Sequence, residues 1–248
     1  PADWHVGDPR FGDVVVRAPI GTAIHAIESV GCVLVEVVTD ENGVVKPSQL
    51  FRAGRLDKYS DEENGEWKFL MWDEAAHEPK MPMGSSGDRW GKEPGKWNLL
   101  LKDGKDGSEI QPQLSFVDDH DAVVDVELDD FGAGETRHRG VPVKTLTTAD
   151  GETVQVTTVY DLLMAQYGVI RGLSGDYPTD YNDEDAPYTP AWSEKYTGID
   201  REVLIRFARE WATTAEHTKG NLFQGRGAQV GIQVAAVLLG GGKGRFVN

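Results

Sequence analysis

Residues 156–220 read VTTVYDLLMAQYGVIRGLSGDYPTDYNDEDAPYTPAWSEKYTGIDREVLIRFAREWATTAEHTKG and decide the fold of the second half of the chain. Here the apolar period changes from about 2 residues, typical of strands, to about 3.6 residues, typical of helices. Thr158 and, three positions later, Asp161 predict the N-terminus of a helix with a capping-box-like arrangement. Gly168 is suited to the position after its C-terminus, because glycine adopts the left-handed conformation there.

A second helix is predicted after Asp200, its candidate N-cap, with Ile199 placed to pack on Leu204. Its apolar residues follow helical spacing and predict one packed stripe: Val203, Leu204, Phe207, Ala208, Trp211, Ala212 and Ala215. Glu202 and Arg206 are spaced to pair on its polar face. Between the two helices we predict an acidic loop at 176–185 and a Pro-aromatic turn at 188–192.

The region upstream predicts short antiparallel strands. Val33 to Val38 is rich in β-branched residues, and Asn42-Gly43 after it predicts a hairpin with positive φ at both turn residues. Further strands are predicted in these segments: 67–72, 96–101, 110–117, 122–128, 141–146 and 153–156. Of these, 110–117 and 122–128 alternate apolar and polar residues.

These patterns predict a mixed α/β (α+β) chain. We divide it into residues 1–31, left unassigned, a β-rich insertion at 32–156, and an α/β region at 157–248. The last region is predicted to be part of a doubly wound α/β unit, because the residues from 221 onward have the pattern of a strand, a glycine turn and a helix.

Composition restricts the function classes. The chain of 248 residues carries a net charge of −16, which repels nucleic acid phosphates and anionic membrane surfaces. No apolar run reaches the roughly 18 residues of a membrane span. Cys32 is the single cysteine, so the chain cannot hold an iron–sulfur cluster on its own thiols. Its apolar surroundings predict a buried, inert thiol.

Two sets of residues are candidates for ligand binding. Gly225, Gly227 and Gly231 precede an apolar segment, and backbone N–H groups of such a turn can approach a pyrophosphate. The spacing is not that of the dinucleotide fingerprint, so a plain glycine turn stays open. The acidic runs at 118–121 and 180–185 predict solvated loops, with weak Ca²⁺ binding as the alternative for the second run.

Ordered sequence words carry a family resemblance. They are NGEWK (64–68), WDEA (72–75), GSSGDRWG (84–91), GKWNL (95–99), PVK (142–144), VTTVYDL (156–162), YTPAW (188–192) and, from Ile205 to Glu210, IRFARE. With these words residues 33–220 resemble the catalytic alpha subunits of respiratory nitrate reductases, in the molybdopterin oxidoreductase (DMSO reductase) family.

The resemblance implies a molybdenum enzyme that reduces nitrate to nitrite in anaerobic respiration. Its cofactors would be molybdenum bis(molybdopterin guanine dinucleotide) and a 4Fe-4S cluster. The matched region contains neither the metal ligands nor the catalytic residues of the family, so we expect none in this segment. Gly225, Gly227, Gln229 and Gly231 correspond to a pterin-dinucleotide loop and are our candidate cofactor-binding residues.

The same resemblance implies partners and a location. The partners would be an iron–sulfur beta subunit and a membrane haem subunit, with nitrate as the substrate and no nucleic acid. The protein would be peripheral on the cell membrane, at its cytoplasmic face or, alternatively, its extracytoplasmic face. Two other functions stay open: reduction of selenate, chlorate or perchlorate, and a non-catalytic module that keeps the fold.

Overall fold

Nine strands and three α-helices are present in the described part of the computed structural model, which comprises residues 31–83, 100–129 and 135–218. The strands are β1 (Leu34–Thr39), β2 (Val45–Leu50), β3 (Met71–Asp73), β4 (Glu78–Lys80), β5 (Pro82–Met83), β6 (Leu100–Asp103), β7 (Ala122–Asp129), β8 (Thr136–Thr147) and β9 (Thr153–Thr158). The helices are α1 (Val159–Gln166), α2 (Pro190–Thr197) and α3 (Arg201–Thr218). Two short 3₁₀ helices, Ala53–Arg55 and Asp57–Tyr59, follow β2.

Five strands close into a small barrel in the order β1-β2-β7-β8-β9. Neighbouring strands are antiparallel except β2 and β7, which meet in parallel at Val45 and Val126. Strand β8 is long enough to pair with β7 through its first part and with β9 through its last part. The barrel closes where β9 pairs with β1, for example Val156 opposite Glu36.

The turn between β1 and β2 differs from the prediction in its backbone conformation. Gly43 has φ +81°, whereas Asn42 does not have a positive φ. The Gly43 N–H donates to the carbonyl of Asp40, and the Asp40 N–H donates to that of Val44. The connection is therefore a three-residue loop with a glycine bulge. The Asp40 carboxylate stabilises it by accepting the N–H groups of Asn42 and Val44.

The barrel interior is filled by β-branched and aliphatic side chains from alternate strand positions. They pack with α1 in one cluster: Val37, Val126, Leu128, Val141, Val143 and Ala165. A second cluster, which includes Leu34, Phe51, Tyr59, Phe116 and Val156, lies between the barrel and the segments inserted after β2. Cys32 is buried in a third cluster, as the sequence predicted.

Residues 110–117 do not form the predicted strand. Apolar and polar residues alternate here, but several backbone N–H groups donate to side chains and not to the carbonyl groups of a neighbouring strand. The Gln111 N–H donates to Asp73 across 2.8 Å, and the Phe116 N–H donates to Asp161 across 2.8 Å. The segment therefore runs as extended chain with isolated bridges, such as the one from Pro112 to Asp73.

Helix α1 has both predicted ends. The hydroxyl of Thr158 accepts the Asp161 N–H across 3.0 Å, which satisfies one of the unpaired N–H groups of the first turn. At the other end Gly168 has φ +67°, and its N–H donates to the carbonyl of Ala165. The next N–H, of Val169, donates to the carbonyl of Met164, which completes a Schellman motif.

Helix α2 occupies the place of the predicted Pro-aromatic turn. The hydroxyl of Thr189 accepts the Trp192 N–H, Pro190 is the first helical residue, and Gly198 ends the helix with φ +69°. Proline at this position and glycine beyond the end are common helix signals. The sequence prediction missed them because the helix is only 8 residues long.

Helix α3 begins as predicted, with the Asp200 carboxylate accepting the N–H groups of Glu202 and Val203. The apolar stripe predicted to pack was wrong for the side chains that the structure describes, because a different side of the helix is buried. Ile205 is buried, whereas Val203 and Phe207 are 43% and 44% exposed. Among the described side chains, Arg206 does not form the predicted ion pair with Glu202. Its Nε lies 4.0 Å from a carboxylate oxygen of Glu210 instead, one helical turn further along α3.

The mixed α/β class is confirmed, with strands before residue 159 and helices after it. The doubly wound unit stays a prediction, because its glycine turn and following segment lie outside the described residues. The division at residues 156 and 157 also stays a prediction. In the structure α1 packs directly on β8 and β9.

Candidate functional site

The predicted cofactor loop is not covered by the structure. Gly225, Gly227, Gln229 and Gly231 lie outside the described residues, which end with Thr218 at the last position of α3. Their assignment to a pterin dinucleotide stays a prediction. The described residues contain two acidic loops and several buried polar networks.

Metal-binding groups do not converge in the part of the chain that the structure describes, where no group of three or more His, Cys, Asp or Glu is placed to hold an ion. Side chains of the acidic segment 118–121 contact the backbone instead. The Asp121 carboxylate accepts the Thr145 N–H across 2.7 Å. The ring Nδ1 of His120 lies 3.0 Å from the carbonyl oxygen of Phe116.

The acidic loop before α2 also uses its carboxylates internally. Asp183 accepts the N–H groups of Thr179, Asp185 and Ala186, at 3.0, 3.2 and 3.1 Å. These backbone hydrogen bonds, led by that of Thr179, lower the pKa of Asp183 below its ordinary value. The Asp183 carboxylate therefore stabilises the backbone of the loop.

Asp161 is the centre of a buried polar network. Its side chain is fully buried, and its Oδ1 accepts the Ser115 hydroxyl across 2.7 Å and Arg171 Nη1 across 2.5 Å. Its Oδ2 accepts the Phe116 N–H across 2.8 Å. The carboxylate thus joins the first turn of α1, the 110–117 segment and the chain after α1. Because its partners satisfy the buried charge, the network stabilises this packing of the three segments.

Arg139 is a second buried charge, 1% exposed, on strand β8. Its Nη1 donates to the carbonyl oxygens of Ala165, across 2.5 Å, and Gln166, across 2.9 Å, at the C-terminus of α1. Its Nε donates to the carbonyl of Asp176 across 2.9 Å. The C-terminal carbonyls of a helix carry partial negative charge, so this guanidinium holds both α1 and the following loop on the barrel.

A third network lies between a 3₁₀ helix and β6. The Tyr59 hydroxyl donates to Asp103 across 2.5 Å, and Lys58 Nζ donates to the same carboxylate oxygen across 2.9 Å. Burial, together with the bond to Asp103, raises the pKa of the Tyr59 phenol. For Lys58 desolvation alone would lower the pKa, but the bond to Asp103 raises it. Both groups therefore keep their protons at neutral pH and act as donors.

Lys144 forms a fourth contact set. Its ammonium lies 3.0 Å from Asp119, 4.5 Å from the ring centroid of Trp72 and 5.3 Å from that of Phe116. The cation–aromatic contact adds to the ion pair. The hydrogen bond from Lys144 lowers the pKa of Asp119. These networks position segments of the chain, and none brings a nucleophile, a base and an open substrate position together.

Sequence reasoning did not single out Arg139, Arg171 or Lys144. A signal was available for Lys144, because it follows Val141 and Val143 in a strand-like run. A charged residue in such a position is seldom buried unless it is paired. No comparable pattern surrounds Arg171, which reaches Asp161 from a loop.

A comparison with known proteins shows which proteins the chain is similar to. The respiratory nitrate reductase 1 alpha chain of Escherichia coli K12 is 41% identical over 197 residues, which cover 74% of this chain and 16% of that protein. The chain is homologous to one region of the nitrate reductase alpha chains. Further relatives are the respiratory nitrate reductase alpha chain of Bradyrhizobium sp., 39% identical over 198 residues (79% of this chain, 18% of the relative), and the nitrate reductase alpha chain of Bacillus subtilis 168, 35% identical over 188 residues (74% and 15%).

The chain spans about a sixth of the length of these nitrate reductase relatives. No model of a protein family matches it. The name "alpha chain" implies that the relatives assemble with other subunits. Among the described helices, none has the length and apolar character to cross a membrane.

The words shared with the nitrate reductases contain residues that build the fold. Thr158 caps α1, Thr189 caps α2, and Lys144 contacts Trp72. The carboxylate of Asp161 accepts from Ser115 and Phe116. The resemblance is thus carried in this region by structural side chains. Among the described residues, these side chains make structural contacts and do not form a catalytic group.

Proposed function

We propose that this chain is part of the catalytic alpha subunit of a molybdenum-dependent nitrate reductase, which removes one oxygen atom from nitrate to give nitrite. The observation that carries the proposal is the 41% identity over 197 residues to a respiratory nitrate reductase alpha chain. Identity of this degree over a barrel and its capped helices supports descent from the same enzyme scaffold.

The described residues do not fit a metal centre. They contain no group of three or more potential ligands, and the buried carboxylate of Asp161 and the carboxylate of Asp103 are occupied by Arg171 and Lys58. In the proposal the ligands of the molybdenum centre and of the 4Fe-4S cluster therefore come from other residues of a longer polypeptide. No step of the reaction is assigned to the barrel.

The contribution of this chain to cofactor binding is proposed at Gly225, Gly227, Gln229 and Gly231. Glycines there would let backbone N–H groups approach the pyrophosphate of a pterin guanine dinucleotide, while Gln229 would add a side-chain amide. Helix α3 leads toward this loop in sequence, since its last residue is Thr218.

The proposed complex contains an iron–sulfur beta subunit and a membrane haem subunit as well as this chain. Electrons would reach the alpha subunit through the beta subunit, and the assembly would lie on the cytoplasmic face of the cell membrane or, alternatively, on its extracytoplasmic face. The relatives are named alpha chains, which supports a multi-subunit assembly.

Turnover by the native complex tests the proposed substrate. An antibody raised against the 248-residue chain is used to isolate the native protein, and reduction of nitrate, selenate, chlorate and perchlorate is measured with a reduced viologen dye. We expect nitrate to have the highest kcat/KM. A higher kcat/KM for another oxyanion would replace nitrate as the substrate, and the absence of all four activities from an intact complex would favour a non-catalytic module.

A further inference from the structure

We propose that Trp192 and Tyr196 of α2 form a redox relay, in which an oxidising equivalent taken up by the indole of Trp192 passes to the phenol of Tyr196. The relay accepts small one-electron oxidants that reach the chain from solvent. It returns Trp192 to its reduced form and leaves a tyrosyl radical where small reductants can reach it. This inference concerns the oxidation chemistry of α2 and does not depend on the proposed reductase activity.

Helix α2 sets the two rings side by side. Trp192 and Tyr196 are four positions apart, the spacing at which side chains meet on one face of a helix. Their ring centroids lie 4.7 Å apart, with 51° between the ring planes. The helix is fixed at both ends, because the Thr189 hydroxyl accepts the Trp192 N–H and the Gly198 N–H donates to the carbonyl of Glu194. An electron can therefore pass between the rings without an intervening group.

Two further rings extend the row of contacts toward α1. Tyr188 contacts Trp192 with 5.5 Å between ring centroids, and Tyr167, at the end of α1, contacts Tyr188 at 5.3 Å. Trp192 and these two tyrosines are partly buried, whereas Tyr196 is 73% exposed. The row therefore runs from the end of α1 to solvent, and water reaches its outermost ring most readily.

The difference in exposure decides where the oxidising equivalent comes to rest. An oxidised phenol is a strong acid, so it becomes stable only when its O–H proton is lost. Water around Tyr196 accepts this proton, whereas the partly buried Tyr188 has less access to water. Because a neutral phenoxyl radical is more stable than a neutral indolyl radical at neutral pH, transfer from Trp192 to Tyr196 is favourable.

Electrons and protons balance along the relay. The oxidant takes one electron from Trp192, and the indole N–H proton passes to water. Tyr196 then gives one electron to the indolyl radical and its O–H proton to water, while the indole nitrogen regains a proton from water. A small reductant such as ascorbate supplies one electron and one proton to the phenoxyl radical. Both side chains end unchanged, the oxidant is reduced and the ascorbate is oxidised.

Trp72 has neighbours of a different kind. Its ring meets that of Phe116 with 5.9 Å between centroids, and the Lys144 ammonium lies 4.5 Å from its own centroid. A phenylalanine ring is far harder to oxidise than a phenol, and a nearby positive charge disfavours removal of an electron from the indole. The contacts of Trp192 therefore suit electron transfer, whereas these contacts of Trp72 suit packing.

Pulse radiolysis of the full 248-residue chain tests the relay. Azide radicals, which oxidise tryptophan in preference to tyrosine, start the reaction, and transient absorbance follows the indolyl and phenoxyl radicals separately. We expect the indolyl signal to decay while the phenoxyl signal grows, in a phase whose rate does not depend on protein concentration. A rate that rises in proportion to protein concentration would overturn the proposal, because the transfer would then occur between chains.

Variants assign the transfer to the two rings. Tyr196→Phe keeps the ring and removes only the hydroxyl, and it is expected to abolish the fastest phenoxyl-forming phase. Trp192→Phe is expected to abolish the same phase from the other side. Tyr181→Phe is the matched control, since Tyr181 is 58% exposed and lies outside the row, and it is expected to leave this phase unchanged.

Peptide mass spectrometry after oxidation in air adds a second measurement. Without the Tyr196 hydroxyl the indolyl radical of Trp192 persists and reacts with dioxygen, so we expect oxygenated Trp192 to increase severalfold in Tyr196→Phe and not in Tyr181→Phe. An unchanged fast phase in Tyr196→Phe, or equal effects of Tyr196→Phe and Tyr181→Phe in either measurement, would overturn the proposal.

Discussion

The guanidinium of Arg171 donates to the carboxylate of Asp161 across 2.5 Å, from a loop to the first turn of α1. The carboxylate also accepts from the Ser115 hydroxyl and the Phe116 N–H. One buried ion pair thus joins three chain segments at the point where the barrel meets its first helix. Removing one partner leaves the other charge buried, which is far more costly than losing a pair at the surface.

Asp161→Asn is expected to lower the free energy of unfolding by about 3 kcal/mol or more. The substitution preserves the shape of the side chain but leaves the Arg171 charge without its carboxylate. Urea denaturation followed by tryptophan fluorescence measures the change. Glu194→Gln, at the surface pair with Arg201, is the control and should shift the midpoint far less. A loss below about 1 kcal/mol for Asp161→Asn would show that the network does not stabilise the fold.

Arg139→Met tests the second buried charge. Methionine keeps an apolar stem but leaves the carbonyls of Ala165, Gln166 and Asp176 without their donor, so we expect a loss of about 3 kcal/mol in urea denaturation. Arg137→Met, a partly exposed position on the same strand, is the matched control. Equal losses in the two variants would contradict a specific role for Arg139.

Gly175→Ala is expected to detach the loop at 174–176 from strand β8. Gly175 has φ +124°, and a Cβ there would lie 2.4 Å from the carbonyl oxygen of His138. Gly172, with φ +79° and open space around it, provides the control, where alanine should cost only about 1–2 kcal/mol. Hydrogen exchange of the Gly140 and Asp176 N–H groups reports the detachment, because both bond across this contact. Unchanged protection in Gly175→Ala would refute the expected clash.

The pH dependence of stability is expected to include a contribution from Asp73. Burial alone would raise the pKa of Asp73, but hydrogen bonds from Lys80 and from the N–H groups of Gln111 and Ala75 lower it below its ordinary value. A carboxyl with a lowered pKa in the folded state stabilises the fold above its unfolded pKa of about 3.9. That contribution is lost as pH falls through the folded-state pKa.

Asp73→Asn therefore should be clearly less stable than the natural chain at pH 7, and the difference should narrow below about pH 4. Chemical denaturation across this range measures the two free energies. Glu41→Gln, an exposed residue of the β1–β2 turn, is the control and should show little difference at any pH. A gap between Asp73→Asn and the natural chain that stays constant to pH 3 would contradict the role of the Asp73 charge.

Local sequence signals predicted the elements that depend on neighbouring residues. Thr158 and Asp161 predicted the start of α1, Gly168 its end, and Asp200 the start of α3. Each signal works through hydrogen bonds within a few residues, so the sequence contains the whole interaction. The orientation of α3 was not predictable in this way, because the side that is buried depends on what packs against it.

Long-range contacts were outside the reach of sequence patterns. Asp161 reaches Ser115 across 46 positions, and Arg139 reaches Ala165 across 26. The same network explains why residues 110–117 alternate like a strand without forming one, since their N–H groups bond to distant carboxylates. The candidate cofactor residues Gly225 and Gln229 lie outside the described part of the chain and stay predictions.

The molybdenum content of the native protein decides whether this chain is part of a molybdenum-dependent nitrate reductase. Protein isolated with an antibody to this chain is analysed by elemental mass spectrometry, and its amount is quantified from peptides of residues 31–83 and 135–218. We expect stoichiometric molybdenum in an intact complex that reduces nitrate. An intact, active complex without molybdenum would contradict the assignment to a molybdenum-dependent nitrate reductase.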